Sequence, residues 1–225
     1  MTNAEMSRFR DRRDAGRRLA AKLQGYARRS DVVVLALPRG SVPVAYEVAE
    51  ALNAPLDALL VRKVGVPGHE ELAMGAIASG GVRVLDDELI AALDLGEDTL
   101  AAVSTEEQRE LVRRERLYRS GRPAPDVSGK AVLLVDDGLA TGSTMRAAVQ
   151  AVHALGPSEV VVAVPIAPPA TCSELEEDAD GVVCALTPEP FVSVGAWYER
   201  FGQIDDDEII ELLERAARSD APTNG

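Results

Sequence analysis

Positive charge is scarce in this chain. Its 225 residues carry 24 Lys and Arg against 37 Asp and Glu, a formal net charge of −13. Broad binding to nucleic acid or to an anionic membrane needs basic surface. The balance therefore argues against both, while leaving room for a small basic pocket around one phosphorylated ligand. Lysine is confined to Lys22, Lys63 and Lys130, and arginine carries the rest. Cysteine is confined to Cys172 and Cys184, which lack metal or Cys-x-x-Cys spacing and fit small buried thiols in a reducing compartment. No apolar run reaches the length that spans a bilayer, so the chain reads as cytoplasmic. Near the N-terminus, "RFRDRRDAGRRLAAKL" is rich in arginine, but Asp11 and Asp14 interrupt it and no signal-peptide core precedes it. Phe9, Leu19, Leu23 and Tyr26 fit one face of a docking helix within residues 1–30 better than a removed presequence.

What is present is a rhythm. Five short runs are rich in Val and Leu: "VVVLAL" (32–37), "DALLVR" (57–62), "AVLLV" (131–135), "EVVVAVP" (159–165) and "GVVCAL" (181–186). They do not alternate polar with apolar, the pattern of parallel strands covered on both faces. Helical stretches near 42–52, 144–155 and 169–178 lie between most of them. Strand and helix alternating in this way predict an α/β fold with a doubly wound parallel β-sheet. Hydrophobic residues make up 46% of the chain, enough for one domain over residues 1–225.

Two regions break the rhythm. Residues 66–128 are too long for a simple crossover. They hold a hairpin around Gly80-Gly81, a charged helix over 105–119 with Ser104 and Glu107 spaced as a capping box, and a Pro/Gly loop. Long insertions of this kind are often lids; Arg113, Arg114, Arg116 and Arg119 on the helix suit a lid or an interface equally. Residues 187–218 hold the sole Trp and two of the three Phe, then a last amphipathic helix that the acidic run Asp205–Asp207 caps. A tail, 219–225, reads as disordered.

The chemistry concentrates in "AVLLVDDGLATGSTM", residues 131–145. Two aspartates, Asp136 and Asp137, close a buried strand. Burying both unpaired would cost several kcal/mol or force one to protonate, so they should face a solvated crevice, where ligands bind in open parallel sheets. Thr141-Gly142-Ser143-Thr144 follows at a helix start. Glycine allows close approach, N–H groups and hydroxyls can converge, and the helix terminus adds about half a positive charge. Acceptors for a polyol and donors for a phosphate lie side by side, and a sugar phosphate meets both.

"VLLVDDGLATGSTM" resembles the phosphoribosyl-pyrophosphate (PRPP) motif of type I phosphoribosyltransferases. The resemblance implies that family's fold, with a long lid (66–128) and a small C-terminal hood (187–218). It implies that Asp136 and Asp137 hold the ribose hydroxyls, and that Ala140, Thr141, Gly142, Ser143 and Thr144 hold the 5-phosphate. "LPRGSVPVA" is similar to the family's pyrophosphate loop, with Arg39, Gly40 and Ser41 in that role. A basic residue following the second strand often contacts pyrophosphate, and Arg62 and Lys63 match. Asp136, Asp137 and Lys63 are the implied catalytic residues. Mg²⁺ is the implied cofactor, reached by Asp136 and Asp137 only through substrate or water. The implied partners are PRPP and a base, with no nucleic acid and no membrane, and a homodimer.

Departures matter too. Where 6-oxopurine enzymes have an aspartate before Thr-Gly, this chain has Ala140, as the adenine enzyme does. Any proton-transfer role falls elsewhere, with Glu70, Glu71 and His69 as candidates; His153 reads as structural. "FVSVGAWYERF" resembles the aromatic cover over the base in purine enzymes, with Phe191 or Trp197 stacking, unless these rings simply fill the core of the hood. The expected reaction moves phosphoribosyl from PRPP to a nitrogenous base, purine favoured, releasing pyrophosphate. A non-catalytic PRPP sensor is the alternative. A receiver-type signalling domain also opens with "LLVDD", but there the Thr-Gly-Ser-Thr cradle would have no task.

Overall fold

The structure, a computed structural model, describes residues 7–66, 69–93 and 96–219. Residues 220–225 of the expected tail lie outside the described residues; Ser219 closes the last helix. A five-stranded parallel sheet is built from β1 (Val32–Ala36), β2 (Leu56–Ala58), β6 (Ala131–Val135), β7 (Glu159–Ile166) and β8 (Gly181–Leu186), in the order β2-β1-β6-β7-β8. The chain steps outward from β1 to β2 and later returns to β6 on the other flank of β1. That reversal opens a crevice beyond the carboxyl ends of β1 and β6.

Both faces of the sheet are covered, as the non-alternating apolar runs require. Val34 and Leu133 point into a core shared with Leu19 of α1 (Arg12–Lys22), Val44 of α2 (Val42–Leu52) and Leu212 of α7 (Asp206–Ser219). Val33, Leu35 and Leu134 point the other way, onto Met145 and Val149 of α5 (Ser143–His153) and Leu175 of α6 (Pro169–Leu175). Successive strand residues serve opposite layers, so every position must be apolar. Phe9, Leu19 and Leu23 are fully buried, and Phe9 pairs main chain with Trp197 and Glu199. Phe9, ahead of α1, thus ties the chain to the segment that follows β8, while α1 itself packs on α2.

The "DALLVR" run does not form one strand. β2 stops at Ala58, and β3 (Val61–Val66) begins a separate antiparallel sheet with β4 (His69–Ala78) and β5 (Val82–Leu85). The hairpin turn falls at Ser79–Gly81, as expected. A short helix, α3 (Asp87–Ala92), leads to α4 (Glu97–Arg119). Ser104 is no capping residue: α4 starts seven residues before it, with Gly96 at the N-cap. Strong helix formers Glu97, Leu100, Ala101 and Ala102 carry the helix back past it.

The C-terminal end of α4 is anchored to the sheet. Arg119, buried, donates to Asp57 Oδ2 at 3.0 Å and to the Ala58 carbonyl at 2.9 Å, and pairs with Glu115 at 2.8 Å. Tyr118 donates to Asp206 Oδ1 at 2.7 Å. Asp205, as expected of the acidic run, caps α7 by accepting the Glu208 N–H at 2.8 Å. Cys172 of α6 and Cys184 of β8 form a disulfide, where the sequence predicts two free thiols. They stand 12 positions apart in sequence, and only the packing of α6 on β8 brings them together.

Candidate active site

Two loops meet at the crevice. The first, Leu37–Ser41, leaves β1 and contains a cis peptide between Pro38 and Arg39. The second, Asp136–Gly142, leaves β6. They touch at Gly40, where a Cβ atom would lie 2.1 Å from Asp137 Oδ2. No side chain fits there, so glycine is required by the approach of the acidic pair. The main-chain N–H groups of Arg39, Gly40 and Ser41 make no hydrogen bond among the described residues. Ser41's hydroxyl is fully buried and unpartnered, so this loop can offer its backbone, and the Arg39 side chain, which is exposed, but not the serine side chain.

Asp136 and Asp137 are half-buried at the mouth of β6. Asp136 Oδ1 accepts the Asp137 N–H at 2.8 Å. Burial, reinforced by the like charge of Asp137, pushes the Asp136 carboxyl well above the ordinary range. Burial pushes Asp137 up as well, opposed by Arg12. Arg12 Nε donates to Asp137 Oδ2 at 2.8 Å, and its Nη1 donates to the Gly202 carbonyl at 2.7 Å. Tyr198 donates its hydroxyl to the Asp137 carbonyl, and burial raises the Tyr198 phenol. The pair is thus tolerated because one member has a cation and the other a backbone donor.

The stretch Ala140–Thr144 turns into α5 through Gly142, which sits at φ 70° as the N-cap. A side chain there would be strained, and its Cβ would press on Thr171 at 3.0 Å. The N–H groups of Ala140, Thr141, Gly142, Ser143 and Thr144 have no partners among the described residues. Ala140, Thr141, Ser143 and Thr144 are exposed. Thr171 Oγ1 fixes the loop from behind by donating to the Ala140 carbonyl at 2.8 Å. The arrangement is an anion cradle at the N-terminus of an eleven-residue helix.

Lys63 and Arg62 point to opposite sides of β3. Lys63 is exposed, and its Nζ lies 3.5 Å from Ser143 Oγ, which brings the second sheet's cation to the cradle. Arg62 is held by Glu107 of α4. It lines a small cavity of about 50 Å³ with Pro38, Leu111, Arg114 and Thr144, between α4 and the first loop. Phe191 and Trp197 are half-buried against Phe9, Ile166 and Tyr198. The exposed ring beside the acidic pair is Phe201, 39% exposed, with the Arg12 guanidinium 4.0 Å above its centroid and Tyr198 stacked at 4.9 Å. His69 is exposed; the side chains of Glu70 and Glu71 lie outside the described residues. His153 approaches the Asp178 carbonyl at 3.2 Å on the far end of α5, which fits a structural part.

Arg12, Tyr198 and Phe201 escaped the sequence reading. Arg12 is one of many arginines in the N-terminal stretch, and nothing local marks it. Phe201 lies in "YERFG", the last aromatic of the segment already suspected.

Comparison with known proteins agrees with the geometry. The family described as "Phosphoribosyl transferase domain" matches residues 6–196. A Mycobacterium tuberculosis (strain H37Rv) protein that carries the name "Putative phosphoribosyl transferase" is 47% identical over 213 residues, 95% of this chain and 48% of that protein. The chain therefore spans about half the length of the curated relatives it matches. The Bifunctional protein PyrR of Chloroflexus aurantiacus is 33% identical over 129 residues, 56% of this chain and 65% of that one. The crystal structure of TT1426 from Thermus thermophilus superposes with a TM-score of 0.84 at 42% identity, covering 92% of this chain and 98% of that one. The acidic pair, the cradle and these matches together make the chain a member of the type I phosphoribosyltransferase family.

Proposed function

We propose that this chain transfers the phosphoribosyl group of PRPP to a nitrogenous base, a purine by preference, and releases pyrophosphate. The observation that carries this reading is the meeting of Asp136 and Asp137 with two unpaired N–H arrays, one on each side. In the reaction the bond from ribose C1 to the pyrophosphate oxygen breaks, and a bond from C1 to a base nitrogen forms. Positive charge develops on the ribose ring and negative charge on pyrophosphate. Asp136 and Asp137 accept the ribose hydroxyls and sit near the first charge. Ala140–Thr144 hold the 5-phosphate, with Lys63 beside Ser143. The backbone of Arg39–Ser41, the Arg39 side chain and Arg62 face the second charge.

The half-buried carboxylates and the oxygen-rich substrate suit Mg²⁺, a hard cation that keeps waters and is held largely through substrate phosphates. When bound, it would neutralise charge on the pyrophosphate leaving group. Asp136 and Asp137 would touch it through substrate hydroxyls or water. In this reading Phe201, Phe191 or Trp197 meets a planar base. Residues 66–128 serve as the lid, 187–218 as the hood, and the protein acts as a cytoplasmic homodimer. The disulfide is at odds with that compartment; thiol titration of freshly purified protein tests the location.

The deciding assay is pyrophosphate release by purified protein with PRPP and Mg²⁺, screened against adenine, guanine, hypoxanthine, xanthine, uracil and orotate. Release with a purine supports the reading, and release only with a pyrimidine corrects the acceptor. PRPP raising the melting temperature with no release for any base would favour the non-catalytic sensor. No PRPP binding at all would sink both.

A further inference from the structure

Two stripes of α4 face different ways. Glu107, Leu111, Arg114 and Tyr118 turn toward Arg62, the small cavity and Asp206. The opposite stripe, offset by about two residues or half a turn, borders an open groove of about 1000 Å³ between α4 and the β4–β5 hairpin. That volume is at the upper end of small-molecule sites. Ile77, Val112 and Leu117 give the groove an apolar floor. Arg83, Arg109, Arg113 and Arg116 stand around it, all exposed. Arg113 pairs with Glu110 at 2.8 Å, while Arg83, Arg109 and Arg116 make no ion pair among the described residues. Ser104, only 7% exposed, lines the same groove, its hydroxyl buried and without a hydrogen-bond partner among the described residues.

We propose that this groove is a second binding site, separate from the loop crevice, for a nucleoside phosphate. A chain of net charge −13 repels anions overall, so four guanidinium groups around one concavity are a local reversal of its field. Of the acidic side chains described nearby, Glu110 and Glu115 are already committed to Arg113 and Arg114 and to Arg119, and Asp206 accepts from Tyr118. Arginine forks match phosphate oxygens, and the apolar floor suits the face of a base. Ser104 to Leu117 spans about 20 Å along the helix, room for a base at one end and a phosphate chain at the other. Because α4 also holds Arg62 through Glu107, an occupant of the groove would bear on the pyrophosphate side of the crevice.

The test is photolabelling of the full chain with 8-azido-ATP, followed by peptide mapping, beside an R109Q/R116Q variant. Both substituted arginines are exposed, so the ligand-free melting temperature should not move, which confirms that the variant folds. The expected result is label on peptides within 77–83 and 104–117, with half-saturation at least about tenfold higher in the variant. Label confined to 131–145 and 187–201, no label anywhere, or equal labelling of both proteins would overturn the proposal. So would light scattering that shows a dimer turned into a monomer by R109Q/R116Q, since the groove would then be an interface between copies.

Discussion

Replacing Asp136 by Asn should weaken PRPP binding and stabilise the empty protein. The change keeps the oxygen that accepts the Asp137 N–H at 2.8 Å and removes the charge. On the binding side, a hydrogen bond to a charged group is worth about 1.5–3 kcal/mol, so losing its charged character toward a ribose hydroxyl should raise the Kd roughly 10- to 150-fold. On the stability side the sign is opposite. Burial and the neighbouring Asp137 raise the Asp136 carboxyl above its unfolded value, so the native state prefers it protonated. Its stabilising contribution is full below the unfolded value, about pH 4, and is lost as pH rises through the native one. The Asn variant escapes that loss, so its advantage in melting temperature should be present at pH 7 and shrink toward pH 4. Calorimetric melting at both pH values, with and without PRPP and Mg²⁺, reads both effects. A ligand-free variant that melts lower than the parent at pH 7, or a PRPP affinity within about twofold of the parent, would refute the reasoning that the pair is kept for a ligand at a cost to the fold.

Three other substitutions probe the frame around it. Gly40→Ala places a Cβ 2.1 Å from Asp137 Oδ2; the carboxylate must move, and PRPP affinity should drop at least about tenfold, readable by titration calorimetry. Lys63→Met removes the exposed cation 3.5 Å from Ser143 Oγ. Affinity for PRPP should fall roughly 5- to 30-fold while the ligand-free melting temperature stays within about 1 °C, and a large drop in that temperature would point to a structural lysine instead. Arg119→Met strands the buried Asp57, already pushed up by burial despite its partner. Breaking such a pair costs about 3–5 kcal/mol, roughly 6–10 °C in melting temperature for this length. The deficit should narrow at acid pH, where Asp57 protonates, and denaturant unfolding at pH 7 and pH 4 checks both claims.

Local order is what the sequence states clearly. The runs at 32–36, 131–135 and 160–166 are apolar at every position because each strand is covered on both faces, and that pattern needs no knowledge of the partners. The motif at 131–145 is legible for the same reason: acidic pair, small loop and helix start are contiguous, so their chemistry is fixed within one turn of chain. Asp136, Asp137 and the cradle Ala140–Thr144 could all be named in advance. Where the sequence misled, the deciding contact was distant. "DALLVR" reads as one strand, but β2 pairs with β1 and β3 with β4, and only sheet pairing splits them. Ser104 and Glu107 have capping spacing, yet the helix runs through them because residues 97–103 continue it.

Arg12 meets Asp137 from 125 positions away and Tyr198 meets Asp137 from 61 positions away, and neither carries a local sign of that role. The same holds for the Cys172–Cys184 bond and for the Arg119–Asp57 anchor. By itself the sequence determined the doubly wound sheet and marked residues 131–145 as the candidate site, because hydrophobic period and motif act over a few residues. Only the tertiary structure decided what makes two adjacent half-buried carboxylates tolerable, which ring stands beside them and where the arginines of α4 gather. Those depend on which segments of the folded chain come within a few ångströms, where charges and rings interact.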